Sequence, residues 1–136
     1  MDWSDFRGLV IDHLTDDLLA PNYRRLKKAA NVPATFGHCY VASEAAYYML
    51  GGKEEGWKPM HMKHLGASHW FLKHESGFIL DLTYNQFKSP LDYSKARGTG
   101  FLTKTPSKRA KKLLIRIGDS QALNKLKKNQ SRPLTR

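Results

Sequence analysis

Two runs rich in aromatic and branched residues, His69-Trp70-Phe71-Leu72-Lys73-His74 and Phe78-Ile79-Leu80-Asp81-Leu82-Thr83, flank the tripeptide Glu75-Ser76-Gly77. This is the pattern of a β-hairpin whose loop carries Gly at a left-handed position. The loop length fixes the register. With Glu75, Ser76 and Gly77 in the loop, His74 faces Phe78, and the ladder continues through 73:79, 72:80, 71:81, 70:82 and 69:83. His69, Phe71 and Lys73 then share a face with Ile79, Asp81 and Thr83. His69 and Asp81 become diagonal neighbours, about 7–8 Å apart at the backbone and within reach through their side chains. A loop of one residue fewer would put them on opposite faces.

Upstream lies the only cysteine, in Gly37-His38-Cys39-Tyr40-Val41-Ala42-Ser43-Glu44-Ala45. The residues before it, Asn31 to Gly37, include Pro and Gly and have no helical period. After it, Val41, Ala45, Tyr48 and Met49 recur at helical spacing until Gly51-Gly52 ends the run. A thiol in the first turn of a helix meets unpaired backbone N–H groups and the positive end of the helix dipole. Both favour the thiolate, and the same N–H groups can stabilise an oxyanion. A lone cysteine without such context reads as a small buried hydrophobe.

Cys39, His69 and Asp81 thus combine a nucleophile at a helix start with a base and a carboxylate facing one another across a hairpin. The imidazole would take the thiol proton and later protonate the leaving group, and the carboxylate would fix its tautomer. Gln86, His38 and Trp70 are the neighbours that could support such a site. The competing roles are a loop-capping amide for Gln86, a solvent-facing neighbour for His38 and core packing for Trp70. Cys39, His61, His64 and His69 make a poor zinc set, since no second Cys exists. No cofactor or metal is expected. Arg97-Gly98-Thr99-Gly100 follows no strand and opens no helix, which argues against a phosphate loop.

The ordered set Gly37-x-Cys39 with Ala42 and Ala45, His69-Trp70, Gly77 and Leu80-Asp81-Leu82-Thr83 resembles the core of the transglutaminase-like branch of papain-like thiol enzymes. Here His and Trp are adjacent, Leu82 stands where that family usually has Pro, and the Cys-to-His span is short for it. The resemblance implies an α+β fold with a papain-like/transglutaminase-like core. In it the nucleophile helix packs on a small antiparallel sheet, with extra N- and C-terminal helices. It also implies acyl transfer through a thioester, as an amide hydrolase, deamidase or transferase acting on a protein, peptide or small amide. The whole chain also resembles short uncharacterised proteins of phage genomes.

Length and charge set the remaining bounds. At 136 residues the chain suits one domain, expected over 1–118 with its core at 37–83 and a basic tail at 119–136. Of 23 Lys and Arg, 11 lie between Lys104 and Arg136, opposed only by Asp119. The first 103 residues hold 12 basic against 11 acidic residues, a net of +1, so the C-terminal segment carries almost all of the +11. Such a segment suits nucleic acid or an acidic protein, with Lys108, Arg109, Lys111, Lys112, Lys125, Lys127 and Lys128 as candidate contacts. A non-enzymatic basic binding protein is therefore the alternative reading. No apolar run approaches the roughly 20 residues that span a bilayer, so no membrane partner is expected. The acidic start Met1-Asp2-Trp3-Ser4-Asp5-Phe6 has no apolar h-region, and one cysteine makes no internal disulfide. These features predict a cytoplasmic protein, in the host cytoplasm if phage-encoded.

The periodicity also predicts a helix over 3–19, a short basic helix over 23–30, and a strand over 57–65 with a turn at 66–68. Beyond these come an irregular stretch over 84–103, a helix opened by Thr105-Pro106 and running to Gly118, and a last basic helix over 121–128.

Overall fold

The computed structural model describes residues 2–19, 25–26 and 37–119. The helices expected over 23–30 and 121–128, and Lys125, Lys127 and Lys128, lie largely or wholly outside them. The described chain is α+β. Helix α1 spans Trp3–Ile11, α2 spans Cys39–Met49 and α3 spans Lys108–Gly118. Strands β1 (Trp57–His64), β2 (Ala67–His74), β3 (Ile79–Leu80) and β4 (Arg97–Gly98) form one antiparallel sheet in the order β3-β2-β1-β4.

The first apolar stripe folds differently from the single helix it predicts. Asp2 caps α1, its carboxylate accepting from the N–H groups of Ser4 and Asp5. The helix stops at Ile11 because the His13 ring takes the Leu9 carbonyl at 2.7 Å and Thr15 adopts an extended backbone. Asp16–Leu18 then forms a separate 3₁₀ turn. Leu18 still reaches the core, fully buried. The apolar spacing therefore reported burial correctly while the backbone changed its path.

The sheet is covered on both faces. Trp57, Leu72 and Leu80 face α1, α2 and α3 in one core with Phe6, Val10, Val41, Ala45, Leu113 and Ile117. On the other face Met60, Met62 and Phe71 pack beneath Ile79, Leu91, Tyr93 and Ala96, so the irregular segment after β3 forms a lid on the sheet. The β1–β2 turn is Leu65-Gly66, both with positive φ, and β2 begins at Ala67, two residues earlier than a 66–68 turn would allow.

The β2–β3 hairpin has the predicted register, with Leu72 opposite Leu80 and Lys73 opposite Ile79. The His74 N–H donates to the Phe78 carbonyl and Gly77 closes the loop at φ +96°, a backbone that favours glycine. The ladder is shorter than expected, ending at Leu80. There the Asp81 carboxylate accepts from the Thr83 N–H at 3.2 Å, and this local turn ends the pairing.

Helix α3 starts at Lys108 with Ser107, rather than Thr105, as its cap. The Ser107 hydroxyl accepts from the Ala110 N–H. It also donates at 2.7 Å to Glu44, a fully buried carboxylate on α2, which accepts the Ser107 N–H at 2.6 Å as well. A buried carboxylate at a helix N-terminus is stabilised by the dipole and by charge-assisted hydrogen bonds. Glu44→Ala, which leaves Ser107 without its acceptor, is expected to cost about 2 kcal/mol in urea denaturation at unchanged m, with Glu44→Gln recovering part of it.

Candidate active site

Cys39 is the first residue of α2 and is 6% exposed. The preceding residue, His38, occupies the cap position without a side-chain cap bond. The thiol reaches the start of β2, where Sγ lies 3.8 Å from the Ser68 carbonyl, one residue before His69.

His69 is fully buried. Its Nε2 donates to Asp81 Oδ2 at 2.6 Å. Because the carboxylate can only accept, this bond places a proton on Nε2 and leaves Nδ1 as the nitrogen that can take one from the thiol. Nδ1 is buried and has no partner in hydrogen-bonding geometry. The ring is held between Phe71, stacked at 6.1 Å, and Phe87, edge-on at 5.2 Å.

The electrostatics follow from these neighbours. Burial alone would push the His69 pKa down. The hydrogen bond to Asp81, the thiol of Cys39 beside the ring and the charges of both outweigh it, raising the group from 6.5 to about 9. A positively charged imidazole next to the thiol is therefore the favoured state near neutral pH.

Asp81 is fixed on three sides. Its Oδ2 also accepts from the Tyr93 hydroxyl at 2.8 Å, and its Oδ1 from the Thr83 N–H. Burial first, then the Asp81 charge, push the Tyr93 phenol upward, so Tyr93 remains a proton donor. Tyr93 and Phe87 complete this environment and escape a reading of the sequence. Both lie in an irregular stretch with no periodic signal, and only the tertiary fold brings them to the sheet.

The supporting candidates fare differently. His38 is buried rather than solvent-facing, and its Nε2 meets the Thr15 carbonyl at 3.0 Å, tying the start of α2 to the segment after α1. Gln86 precedes Phe87, with its amide oxygen buried and unpartnered and no hydrogen bond to Cys39, His69 or Asp81. Trp70 points to the opposite face of β2 from His69 and packs on Tyr40 and Phe101. His61 and His64 lie on opposite faces of β1. His61 packs on Trp70, while His64 bonds the Ser89 hydroxyl at 2.7 Å, so the candidate zinc ligands do not converge.

Two of the basic candidates on α3 serve the fold. Arg109 donates to the Leu18 carbonyl at 3.2 Å, and Lys112 pairs with Asp17 at 3.0 Å beside Arg116. The Asp17 carboxyl is held below the ordinary range by Arg116 first, then by Thr15 and Lys112. Lys108 and Lys111 are exposed. No helix among the described residues is long and apolar enough to cross a membrane.

The arrangement defines a class of site, a thiol beside an imidazole–carboxylate pair. The chain matches no protein-family model, no curated protein and no solved structure.

Proposed function

We propose that this protein is a cysteine-dependent acyl-transfer enzyme, an amide hydrolase, deamidase or transferase, with Cys39 as nucleophile, His69 as acid and base, and Asp81 as orienting carboxylate. The core built from α2 and the β2–β3 hairpin would be of the transglutaminase-like, papain-like kind. The observation that carries the reading is the fully buried His69, bonded through Nε2 to Asp81 at 2.6 Å, with its other nitrogen unpartnered beside a helix-start thiol.

The chemistry follows from the geometry. Cys39 reacts as the thiolate, with its proton resting on His69 Nδ1, and attacks the substrate carbonyl carbon. The resulting oxyanion is stabilised by N–H groups at the start of α2, which have no acceptor within the helix. His69 returns the proton to the leaving nitrogen as the C–N bond breaks, giving a thioester and a free amine or ammonia. Water or an acceptor amine then attacks the thioester, passes its proton to His69 and releases the thiol. The choice between hydrolysis and transfer rests with the acceptor.

The test is the rate of Cys39 alkylation by iodoacetamide against pH. The native protein is expected to reach a plateau well below the free-thiol value of about 8.5, and His69→Ala to lose it. An ordinary thiol titration, unchanged by His69→Ala, would remove the paired nucleophile and with it the enzyme reading.

A further inference from the structure

The residues that follow the two reactive groups begin a path across the surface. Tyr40 follows Cys39, Trp70 follows His69, and their rings meet edge-on at 4.9 Å. Phe101 stacks on Trp70 at 5.8 Å and meets Tyr40 at 5.5 Å and Tyr47 at 5.4 Å. All four rings are partly exposed. Tyr47 and Phe101 then enter a groove of about 650 Å³ between the C-terminal end of α2 and the β1–β4 edge of the sheet.

Trp57 and Tyr48 line this groove with Lys53, Lys58 and Lys104, and no acidic residue does. The three lysines are exposed and enter no salt bridge among the described residues. Aromatic walls and unopposed ammonium groups favour an anionic partner with apolar surface of its own. Three of these four ring contacts are edge-on and the fourth, Phe101 on Trp70, is stacked face to face, which leaves few flat faces for stacked bases.

We propose that the groove binds an acidic polypeptide segment and delivers one of its amides to Cys39. The delivery step rests on the acyl-transfer reading; the binding step does not. Eight residues of helix separate Tyr47 from Cys39, about 12 Å. An extended peptide covers that distance in about four residues. The acidic side chain is therefore placed about four residues from the reacting amide.

Binding is read by fluorescence anisotropy with a fluorescein-labelled peptide of alternating Glu and Tyr, at low salt. The full-length Cys39→Ser chain is used, so that failure of the catalytic reading leaves the result intact. Lys53→Glu combined with Lys104→Glu is expected to weaken binding by about tenfold or more. Lys125→Glu with Lys127→Glu should change it by less than about twofold. The proposal falls if the tail pair carries the loss. It falls equally if an oligothymidylate, or a Lys–Tyr peptide of the same length, binds as well as the acidic peptide.

Discussion

Asp81→Asn is expected to leave a folded protein whose Cys39 alkylates at pH 6.5 no faster than in His69→Ala. On the proposed acyl-transfer reading, turnover should fall by about 10³–10⁴-fold. Asp81 accepts three hydrogen bonds, from His69 Nε2 and the Tyr93 hydroxyl at Oδ2, and from the Thr83 N–H at Oδ1. An asparagine has one acceptor oxygen to offer. If that oxygen faces His69 and Tyr93, the amide NH₂ opposes the Thr83 N–H. If it faces Thr83, the NH₂ faces Nε2, forces the proton onto Nδ1 and leaves no lone pair for the thiol. Neither orientation restores the charge that holds His69 protonated against its burial. Removing one member of a buried pair typically costs about 3–5 kcal/mol. The amide retains part of the bonding, so a loss nearer about 2 kcal/mol in urea denaturation is expected. Rapid alkylation at pH 6.5 in Asp81→Asn would show that the carboxylate plays no part in activating the thiol.

Much of this site could be read from residue order because its geometry is local. The Glu75-Ser76-Gly77 loop sets the 72:80 and 73:79 pairs, and those pairs place His69 and Asp81 on one face. Gly51, at φ +91°, ends α2 where the apolar period stops, and Cys39 opens that helix. Two elements end early because a side chain competes with the backbone ladder. The Asp81 carboxylate ends β3 early by taking the Thr83 N–H, and the His13 ring ends α1 by taking the Leu9 carbonyl. The register beyond Leu80 therefore fails as a ladder although the His69–Asp81 contact it predicted is made. Tyr93 reaches Asp81 from a segment without periodicity, and Glu44 looks in sequence like one polar residue on a helix. Its burial and its bonds to Ser107 depend on where α3 returns. The same holds for Arg109 and Lys112, whose contacts with Leu18 and Asp17 depend on how α3 packs on the segment after α1.

The raised pKa of His69 also makes stability depend on pH in a direction opposite to that of a buried, unpaired histidine. In the folded chain the group binds its proton more tightly than an unfolded histidine does, at about 9 rather than 6.5. Its contribution is present in full below about pH 6.5, shrinks as pH rises toward 9, and is gone above it. The difference corresponds to about 3 kcal/mol as an order of magnitude. Urea denaturation of the wild type is therefore expected to show a loss of that size between pH 6 and pH 10. His69→Gln, which still offers Asp81 a donor but does not titrate, should lose correspondingly less over the same range. Cys39→Ser should fall between the two, because the thiol is the second group, after Asp81, that raises the His69 pKa. Wild type and His69→Gln differ at no other titratable residue, so their comparison isolates the buried pair. Parallel stability profiles for wild type and His69→Gln would mean that His69 is neutral in the folded protein. Burial would then outweigh Asp81 and Cys39 together, and the thiol would have no imidazolium beside it.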